Sequence, residues 1–219
     1  MSKNPFDPCF NDLPEEIPIF PLEGVVLLPR ADLPLNIFEP RYLSMIADAL
    51  KVGRLIGIVQ PTGYRAANCE AVFRTGCVGR ITQFSETEDG CYRVTLRGLC
   101  RFHIRRELPE HDNGYRRITP DWTGFESDMN PHSCVELNRG DLCILLRKYL
   151  EQQQITLDWP LLHEIEDDEM LMTTLAMICP FTPSEKQALL EAPCCSSRAN
   201  LFLSLLDMAV NHSCSHSSH

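Results

Sequence analysis

The stretch Ile17-Pro18-Ile19-Phe20-Pro21-Leu22-Glu23-Gly24-Val25-Val26-Leu27-Leu28-Pro29 decides the fold of this chain. It holds two short apolar runs that are separated by a glutamate–glycine turn, and a proline ends the second run. Short apolar runs between turn residues are typical of buried strands, and proline ends a strand because it has no N–H for the ladder. We therefore predict strands at 17–22 and 25–29, and a further extended piece at 33–38.

One helix interrupts these strands. Pro40 suits the first helical position, where a backbone N–H would have no partner in any case, and Gly53 suits the C-terminal stop. Apolar residues recur between them at the spacing of a helix. We predict a helix over 40–51 whose buried stripe consists of Leu43, Ile46, Ala47 and Leu50.

Outward from this helix, strands resume at 54–60, 76–84, 91–96 and 100–105. The last two alternate apolar and polar residues, which is typical of strands with one buried face. Many short strands around one helix predict a small curved sheet or a partly closed barrel. We expect a flexible N-terminus over 1–14 and a β-rich subdomain over 15–125.

The apolar period becomes helical after a polar stretch at 121–133. We expect an α-helical bundle subdomain over 130–212 and a disordered tail over 213–219. One helical face carries Val135, Leu142, Leu145, Leu146, Tyr149 and Leu150. A second helix is predicted at 167–179, with Met170, Leu171, Leu175 and Ile178 facing inward.

Two further helices follow in this half. Thr182 and Glu185 form a capping box around a first-position proline, Pro183, in which each side chain satisfies an orphan backbone N–H. We expect Ser196 or Ser197 to cap the last helix. Its inner face is predicted to hold Ala199, Leu203, Leu206 and Val210.

The net charge of −10 is unevenly divided, with −1 on residues 1–125 and −9 on residues 126–219. The near-neutral front half leaves a local basic face possible. The chain has no apolar stretch long enough for a membrane span, and its N-terminus lacks the apolar run of a secretory signal. We therefore expect a cytoplasmic protein whose eleven cysteines are reduced thiols.

Catalytic motifs are missing from the sequence. It has no G-x-S-x-G, and His163-Glu164 fails to complete a zinc-hydrolase motif because position 167 is Asp167. The scattered glycines form no phosphate-binding loop. We expect no enzyme activity, no cofactor and no metal site.

Two other segments contain residue types that bind metal ions. The acidic run at 164–169 is interpreted as a solvated helix start, since acids favour the positive end of the helix dipole. The histidine- and cysteine-containing tail at 212–219 matches no structural zinc spacing and is interpreted as a frayed terminus.

An arginine-rich region leaves a nucleic-acid function open. Tyr92, Phe102 and Tyr115 are interleaved with the arginines, as in single-stranded RNA binders, but alternation with apolar residues is also how the wet face of any strand looks. The nine arginines are Arg74, Arg80, Arg93, Arg97, Arg101, Arg105, Arg106, Arg116 and Arg117.

Several segments together resemble a known family. The stretches 17–29 and 33–42 resemble the opening of the Lon protease N-terminal domain, 76–81 and 96–102 resemble its later strand motifs, and 177–192 is similar to short bacterial Lon-domain proteins. The resemblance implies an α+β fold, with a PUA-like β pseudo-barrel that contains one helix, followed by a C-terminal helical bundle. It covers about residues 15–211.

This resemblance implies a function in recognition. The chain lacks the Walker A loop and the serine–lysine peptidase domain of full-length Lon, so we expect neither ATP hydrolysis nor proteolysis. We expect a non-catalytic module that binds an unfolded or partner polypeptide, for example as an adaptor or quality-control factor; the alternative is an RNA-binding module. The sequence indicates no oligomeric state.

The segment 35–42 offers a candidate surface for polypeptide binding. Phe38 and Tyr42 would supply contact area, Arg41 a bidentate partner for carboxylate or carbonyl oxygens, and Asn36 a hydrogen-bond partner. Alternatively, these residues simply fix the helix to the sheet, with Arg41 paired to Glu39 or to strand carbonyls.

Overall fold

The chain folds into two compact units that are discontinuous in sequence. The computed structural model describes residues 7–66, 69–130, 137–156 and 159–215. One unit, which we call the β unit, comprises Met1–His132 and Phe181–Leu190. The other, the helical unit, comprises Ser133–Pro180 and Glu191–His219.

Eight strands build the β unit. They are β1 (Ile17–Pro21), β2 (Asp32–Ile37), β3 (Leu55–Val59), β4 (Pro61–Ala66), β5 (Cys69–Val72), β6 (Thr75–Glu86), β7 (Tyr92–Glu107) and β8 (Arg116–Asp121). The segments predicted at 91–96 and 100–105 form one long strand. Strands β4, β5 and β8 were not predicted from the sequence.

Six strands form a mixed sheet in the order β2-β7-β6-β3-β1-β8, and β4 pairs with β5 in a separate hairpin. The pairing of β1 with β3 is parallel, and the other pairings are antiparallel. Strand β7 is long enough to pair also with β8 near its end, where His103 lies opposite Asp121. The structure therefore has a mixed sheet.

Phe102 is central to the core of the β unit and is fully buried. It packs over two glycines: a Cβ at Gly57 or Gly76 would lie 2.9 or 2.6 Å from its ring carbon Cζ. Ile17, Ile19 and other aliphatic side chains of the sheet complete this cluster. The ring therefore fills space that only residues without side chains leave open.

The segment at 25–29 is not a strand, although the sequence predicts one. Val26, Leu27 and Leu28 are buried in an irregular segment instead. The adjacent Arg30 N–H donates to the carbonyl of Gly98, and the Gly98 N–H donates to Ala31. The apolar run is thus a buried loop that packs on β7. Apolar side chains can be buried without the regular backbone hydrogen bonds of a β-ladder.

Helix α1 (Pro40–Lys51) begins at Pro40 as predicted, and Gly53 has the positive φ expected after a helix end. The buried face differs from the predicted stripe and consists of Tyr42, Met45, Ile46 and Ala49. Leu43, Ala47 and Leu50 are only half-buried. The helix is rotated about its axis because the aromatic Tyr42 packs inward.

A late helix joins the β unit. Helix α5 (Pro183–Glu191) begins with the predicted capping box: the Glu185 N–H donates to Thr182 Oγ1, and the Thr182 N–H donates to the Glu185 carboxylate. Gln60 donates to the Pro183 carbonyl at 3.0 Å. Gln187 in turn donates to the Thr75 carbonyl at 3.1 Å. The predicted separation into a front and a rear subdomain therefore does not hold for this helix.

A buried arginine completes that connection. Arg101 is 2% exposed and donates through two guanidinium nitrogens to both carboxylate oxygens of Asp128 at 2.8 Å. A third guanidinium nitrogen donates to the Leu190 carbonyl at 3.1 Å. The ring of Phe125 lies 4.9 Å from the guanidinium carbon. This side chain ties β7 to the end of α5.

Four helices belong mainly to the helical unit: α2 (Arg139–Gln152), α3 (Trp159–His163), α4 (Asp168–Ile178) and α6 (Cys195–Ser215). Asn138 caps α2 and Asp167 caps α4, each accepting two backbone N–H groups. Arg139 joins these two helix starts by donating to Asp168 at 2.6 Å. The predicted second helix is confirmed as α4, whereas α3 was not predicted.

The buried faces of these helices differ in part from the predicted faces. Leu142, Leu146, Tyr149 and Leu150 are buried in α2 as predicted, while Leu145 is half-buried and Val135 lies outside the described residues. In α4 Leu171 and Leu175 are buried, but Met170 is half-buried and Ile178 is 49% exposed. In α6 Phe202 is buried, and not the predicted Leu203.

The start and end of α6 also differ from expectation. The helix begins at Cys195, and the sulfur of Cys194 accepts the Ser197 N–H at 3.5 Å, so neither Ser196 nor Ser197 is its cap. It continues to Ser215, beyond the expected start of a tail. At the other end of the chain, Leu13 is buried in the core within the segment expected to be flexible.

In the described parts of the chain, no helix combines the length and the apolar character that crossing a membrane requires.

Candidate functional site

Strand β2 forms one edge of the six-stranded sheet and, within the described residues, pairs with β7 alone. Asn36 lies opposite Arg93 of β7, and Arg93 lies opposite Ser85 of β6. The three strands border a hollow of about 520 Å³. Its lining residues are Pro34, Leu35, Asn36, Gln83, Phe84, Ser85, Arg93, Val94 and Thr95.

Exposed aromatic side chains accompany this edge. Phe38, directly after β2, is 69% exposed, and Phe84 at the end of β6 is 43% exposed. Phe84 packs edge-on against Tyr92, with 5.0 Å between ring centroids. Asn36 is exposed as well. The edge therefore combines apolar contact area with unhindered hydrogen-bonding groups.

Arg41 and Glu39 form an ion pair at the start of α1, with 2.9 Å between Nη2 and Oε2. Their side chains are 51% and 44% exposed, so the pair contributes little to stability. The Arg41 guanidinium also lies over the Tyr42 ring at 4.5 Å. The pairing foreseen between Arg41 and Glu39 is present, and it leaves part of the guanidinium open to solvent.

Tyr42 is a core residue. It is 6% exposed, and its ring lies 4.1 Å from that of Phe20. Burial raises the pKa of its phenol above the ordinary value. The structure thus separates the predicted residues: Asn36, Phe38, Glu39 and Arg41 reach the surface, whereas Tyr42 holds α1 to the sheet.

Sequence reasoning missed the residues that β6 and β7 bring to this edge. Phe84, Gln83 and Arg93 lie far from 35–42 in the chain and meet it only through strand pairing. The available signal was Phe84 itself, a single large apolar residue within the polar end of a strand.

Most of the arginines considered for RNA binding pair with carboxylates. Arg80 and Arg101 are buried, so these two arginines do not belong to an exposed arginine face. The ion pairs are Arg80–Asp7, Arg97–Asp32, Arg101–Asp128, Arg116–Glu107 and Arg117–Glu16. Arg74, Arg93, Arg105 and Arg106 are exposed.

The acidic run at 164–169 has structural roles. Asp167 caps α4, Asp168 pairs with Arg139, and Glu169 accepts a hydrogen bond from the Cys195 thiol at 3.0 Å. Where the structure describes side chains, no group of three or more histidine, cysteine or acidic residues is arranged to hold a metal ion. Residues 216–219 of the tail lie outside the described residues.

The thiols occupy contrasting environments. Cys77, Cys100 and Cys179 are buried, as expected for cysteines that act as small apolar residues, and burial raises the pKa of Cys100 far above its usual range. Cys194 is exposed, and a hydrogen bond from Ser197 lowers its pKa. Cys134 lies outside the described residues.

The described residues present a mixed sheet with an exposed aromatic edge, and among them no group of three or more histidine, cysteine or acidic side chains could hold a metal ion. Residues 16–208 match the model of the ATP-dependent protease La (LON) substrate-binding domain. The chain belongs to this Lon substrate-binding domain family. The match is to the non-catalytic N-terminal domain of Lon.

Individual relatives agree with this family. The chain is 27% identical over 201 residues to the Lon protease of Parabacteroides distasonis, covering 88% of this chain and 24% of that protein. It is 31% identical over 95 residues to the Lon protease of Dictyoglomus thermophilum, covering 43% of this chain and 12% of that protein. The chain thus spans about a quarter or less of the length of these relatives.

Solved structures show the same fold. The Lon N-terminal domain protein from Xanthomonas campestris superposes with a TM-score of 0.58 at 25% identity, covering 86% of this chain and 97% of that chain. The N-terminal domain of the Mycobacterium avium complex Lon protease also gives 0.58, at 16% identity, covering 90% and 98%. The expected Lon-domain fold is therefore confirmed.

Proposed function

We propose that this protein binds non-native polypeptide along the exposed edge of β2 and the adjoining start of α1. The observation that carries the proposal is Phe38, a large aromatic side chain that is 69% exposed at the end of an edge strand. Membership of a substrate-binding domain family supports the same function.

The edge of β2 suits an extended polypeptide. A strand that pairs on one side only presents backbone N–H and C=O groups to an added strand, and alternate side chains then set specificity. Pro34 lies within β2, and proline is tolerated in strands mainly at such edges. Phe38 and Phe84 would pack against apolar side chains, and Arg41 would bind carbonyl or carboxylate oxygens.

The proposal includes a role as an adaptor or quality-control factor. Such factors distinguish unfolded from folded chains by their exposed apolar side chains, and the Phe38 edge offers a surface for that distinction. The support from the family is limited to its description as a substrate-binding domain.

Substitution of Phe38 tests the proposed surface. Capture of a reduced, carboxymethylated model protein by Phe38→Ala should weaken about tenfold, the factor expected when truncation of an interface aromatic removes roughly 1.4 kcal/mol. Tyr64→Ala is the matched control, because Tyr64 is 70% exposed in the separate β4–β5 hairpin. Equal loss of capture in both variants would contradict the location.

Substitutions at α1 separate binding from stability. Arg41→Ala should reduce capture and leave the melting temperature nearly unchanged, because its ion pair is exposed. Tyr42→Ala should lower the melting temperature, because Tyr42 is in the core. If Arg41→Ala leaves capture per folded molecule unchanged, this segment only fixes the helix.

The RNA-binding alternative makes a different prediction. Binding through phosphates weakens steeply with salt, whereas apolar polypeptide binding does not. The carboxylate partners of five of the nine arginines disfavour it. Capture of labelled single-stranded RNA that falls steeply between low and physiological salt, together with no capture of unfolded protein, would support RNA binding instead.

We also propose that the sheet is a PUA-like pseudo-barrel. The support is that β7 pairs with β8 in addition to β6, while β8 pairs with β1. A closed sheet leaves β8 without a free edge. Amide hydrogen exchange tests this: slow exchange at β8 residues facing either neighbour is expected, and fast exchange on one side would contradict closure.

A further inference from the structure

A second concave surface lies in the β unit and shares no residue with the β2 edge. It is a groove of about 540 Å³ between the N-terminal segment, the C-terminal end of α1 and the loop before β8. A cavity of that size falls in the range of ligand sites in proteins. Its lining includes three prolines, Pro8, Pro14 and Pro18, which keep that wall stiff.

The floor and one rim of the groove are apolar. Ile17 and Leu55 are buried at its floor, and Ala49 contributes from α1. Val52, which follows the last residue of α1, is 80% exposed at the rim. An apolar side chain that enters the groove would cover Val52 and remove its surface from water.

Carboxylates outnumber cations around this apolar floor. The lining holds Asp12, Glu16 and Asp48, against one arginine, Arg117. Arg117 lies 3.7 Å from Glu16, and their side chains are 34% and 56% exposed. His111 and Tyr115 also line the groove. The formal charge of the lining is therefore negative.

Asp48 stays ionised at neutral pH. Lys51 donates to one of its oxygens at 2.9 Å, and the Tyr115 hydroxyl donates to the other at 3.2 Å. The hydrogen bond from Lys51 is the main cause that lowers the pKa of Asp48. The two side chains thus hold this carboxylate at the groove wall as an acceptor.

The helix end adds to the negative field. Residues Asp48, Ala49 and Val52 belong to the last turn of α1 or follow it directly, and they line the groove. The last carbonyls of a helix carry about half a negative charge, which stabilises cations placed near them. The acidic side chains and the helix end therefore both favour a positively charged occupant.

We infer that this groove binds an extended polypeptide segment in which an apolar side chain is followed by lysine or arginine. The apolar side chain packs on Val52 and the proline wall, and the cation lies near Asp12, Glu16 and the end of α1. This inference rests on the proposed function of polypeptide recognition and adds a second contact region with a charge preference.

Matched peptides test the charge preference directly. Three short labelled peptides are compared by fluorescence anisotropy: alternating leucine and lysine, alternating leucine and glutamate, and alternating serine and lysine. The leucine–lysine peptide should bind at least about tenfold more tightly than either of the others. A tenfold difference in affinity corresponds to a difference in binding free energy of only about 1.4 kcal/mol. Equal binding of the lysine and glutamate peptides would overturn the inference.

Variants locate the binding in the groove. Asp12→Asn combined with Glu16→Gln should weaken the leucine–lysine peptide about five- to tenfold, as the loss of two exposed charge contacts predicts. Glu23→Gln with Glu88→Gln removes the same charge from exposed positions outside the groove and should change binding by less than about twofold. Equal weakening in the two double variants would mean that the peptide senses only net charge, which overturns the inference.

Val52→Asp gives an independent measurement at an exposed position where folding should survive. It should weaken the leucine–lysine peptide less than it weakens an all-leucine peptide, because it removes apolar contact and adds charge. Capture of unfolded protein separates the two proposals. If the wild type captures no polypeptide, the proposed function fails; if capture depends on Phe38 and no groove variant alters peptide binding, only this inference fails.

Discussion

The two units of the molecule are organised by opposite kinds of signal. In the helical unit, α2 and α4 start at Asn138 and Asp167, which cap them from within two or three residues. In the β unit, Arg101 reaches Asp128 and Leu190, 27 and 89 residues away in sequence. Interactions between neighbouring residues can be predicted from a sequence, whereas contacts between residues so far apart are seen only in the folded structure.

Helix α5 shows how the two kinds of signal combine. Its start is encoded locally by Thr182 and Glu185, and its place is decided by Gln60, Thr75 and Arg101. The protein contains two tryptophans, Trp122 in the β unit and Trp159 in the helical unit. Replacing either one by phenylalanine allows the unfolding of each unit to be followed separately by fluorescence.

Arg101→Ala should have the largest effect. It leaves Asp128, whose side chain is 7% exposed, without its guanidinium partner, so we expect a loss of about 3–5 kcal/mol in urea unfolding followed through Trp122. Arg97→Ala is the control, because its pair with Asp32 is 25% and 54% exposed and should contribute less than about 1 kcal/mol. Similar losses in both variants would remove the distinction between buried and exposed ion pairs.

Adding a methyl group at glycine should have opposite signs in the two units. A Cβ at Gly98 would lie 2.1 Å from the Leu28 carbonyl oxygen, so Gly98→Ala should destabilise the β unit by about 3 kcal/mol. At Gly140, in the first turn of α2, the nearest atom would be 3.4 Å away. Gly140→Ala should stabilise the helical unit by up to about 1 kcal/mol. Thermal unfolding of both variants checks the signs.

Removing a helix cap should lower the stability of the unit to which that helix belongs. Asp167→Ala should cost about 1 kcal/mol and register through Trp159. Thr182→Ala should also cost about 1 kcal/mol, but register through Trp122, because α5 is part of the β unit. A signal from Trp159 alone in the Thr182 variant would assign α5 to the other unit.

The smallest effect is a pH dependence in the helical unit. Burial tends to raise the pKa of Asp168, but the Leu137 N–H and the Arg139 guanidinium outweigh it and hold the pKa below its usual value. A carboxyl whose pKa is lowered by folding stabilises the protein above its unfolded pKa, near 3.9, and that stability is lost as pH falls through the folded pKa. Asp168→Asn should cost under about 1 kcal/mol at pH near 7 and nothing in strong acid.

The sequence was sufficient at several positions where a residue acts on its neighbours. Pro40, the Thr182 box and the alternation along β7 predicted their elements, and the resemblance to Lon predicted the family. The burial of Arg101 was not predictable, because arginine alternating with apolar residues is typical of an exposed strand face. Its partner Asp128 lies in a segment that the sequence presents as a polar linker.

The candidate site divides in the same way. Asn36, Phe38 and Arg41 were predicted together because they lie close to one another in the chain, and all three are exposed. Tyr42 belongs to the same segment but faces the core, since helical geometry turns adjacent residues in different directions. Gln83 and Phe84 join the edge through strand register, which composition and periodicity do not specify.

The placement of α5 sets the order of events on the ribosome. Every strand of the β unit has been synthesised by residue 121. The side-chain amide of Gln60 and the guanidinium of Arg101, however, form their hydrogen bonds to α5 only after residues 183–190 have been synthesised. At roughly 5–20 residues per second, translation leaves this unit unfinished for several seconds. During that time the nascent sheet exposes the surface that α5 will cover, and a pause in translation beyond residue 130 would prolong that exposure.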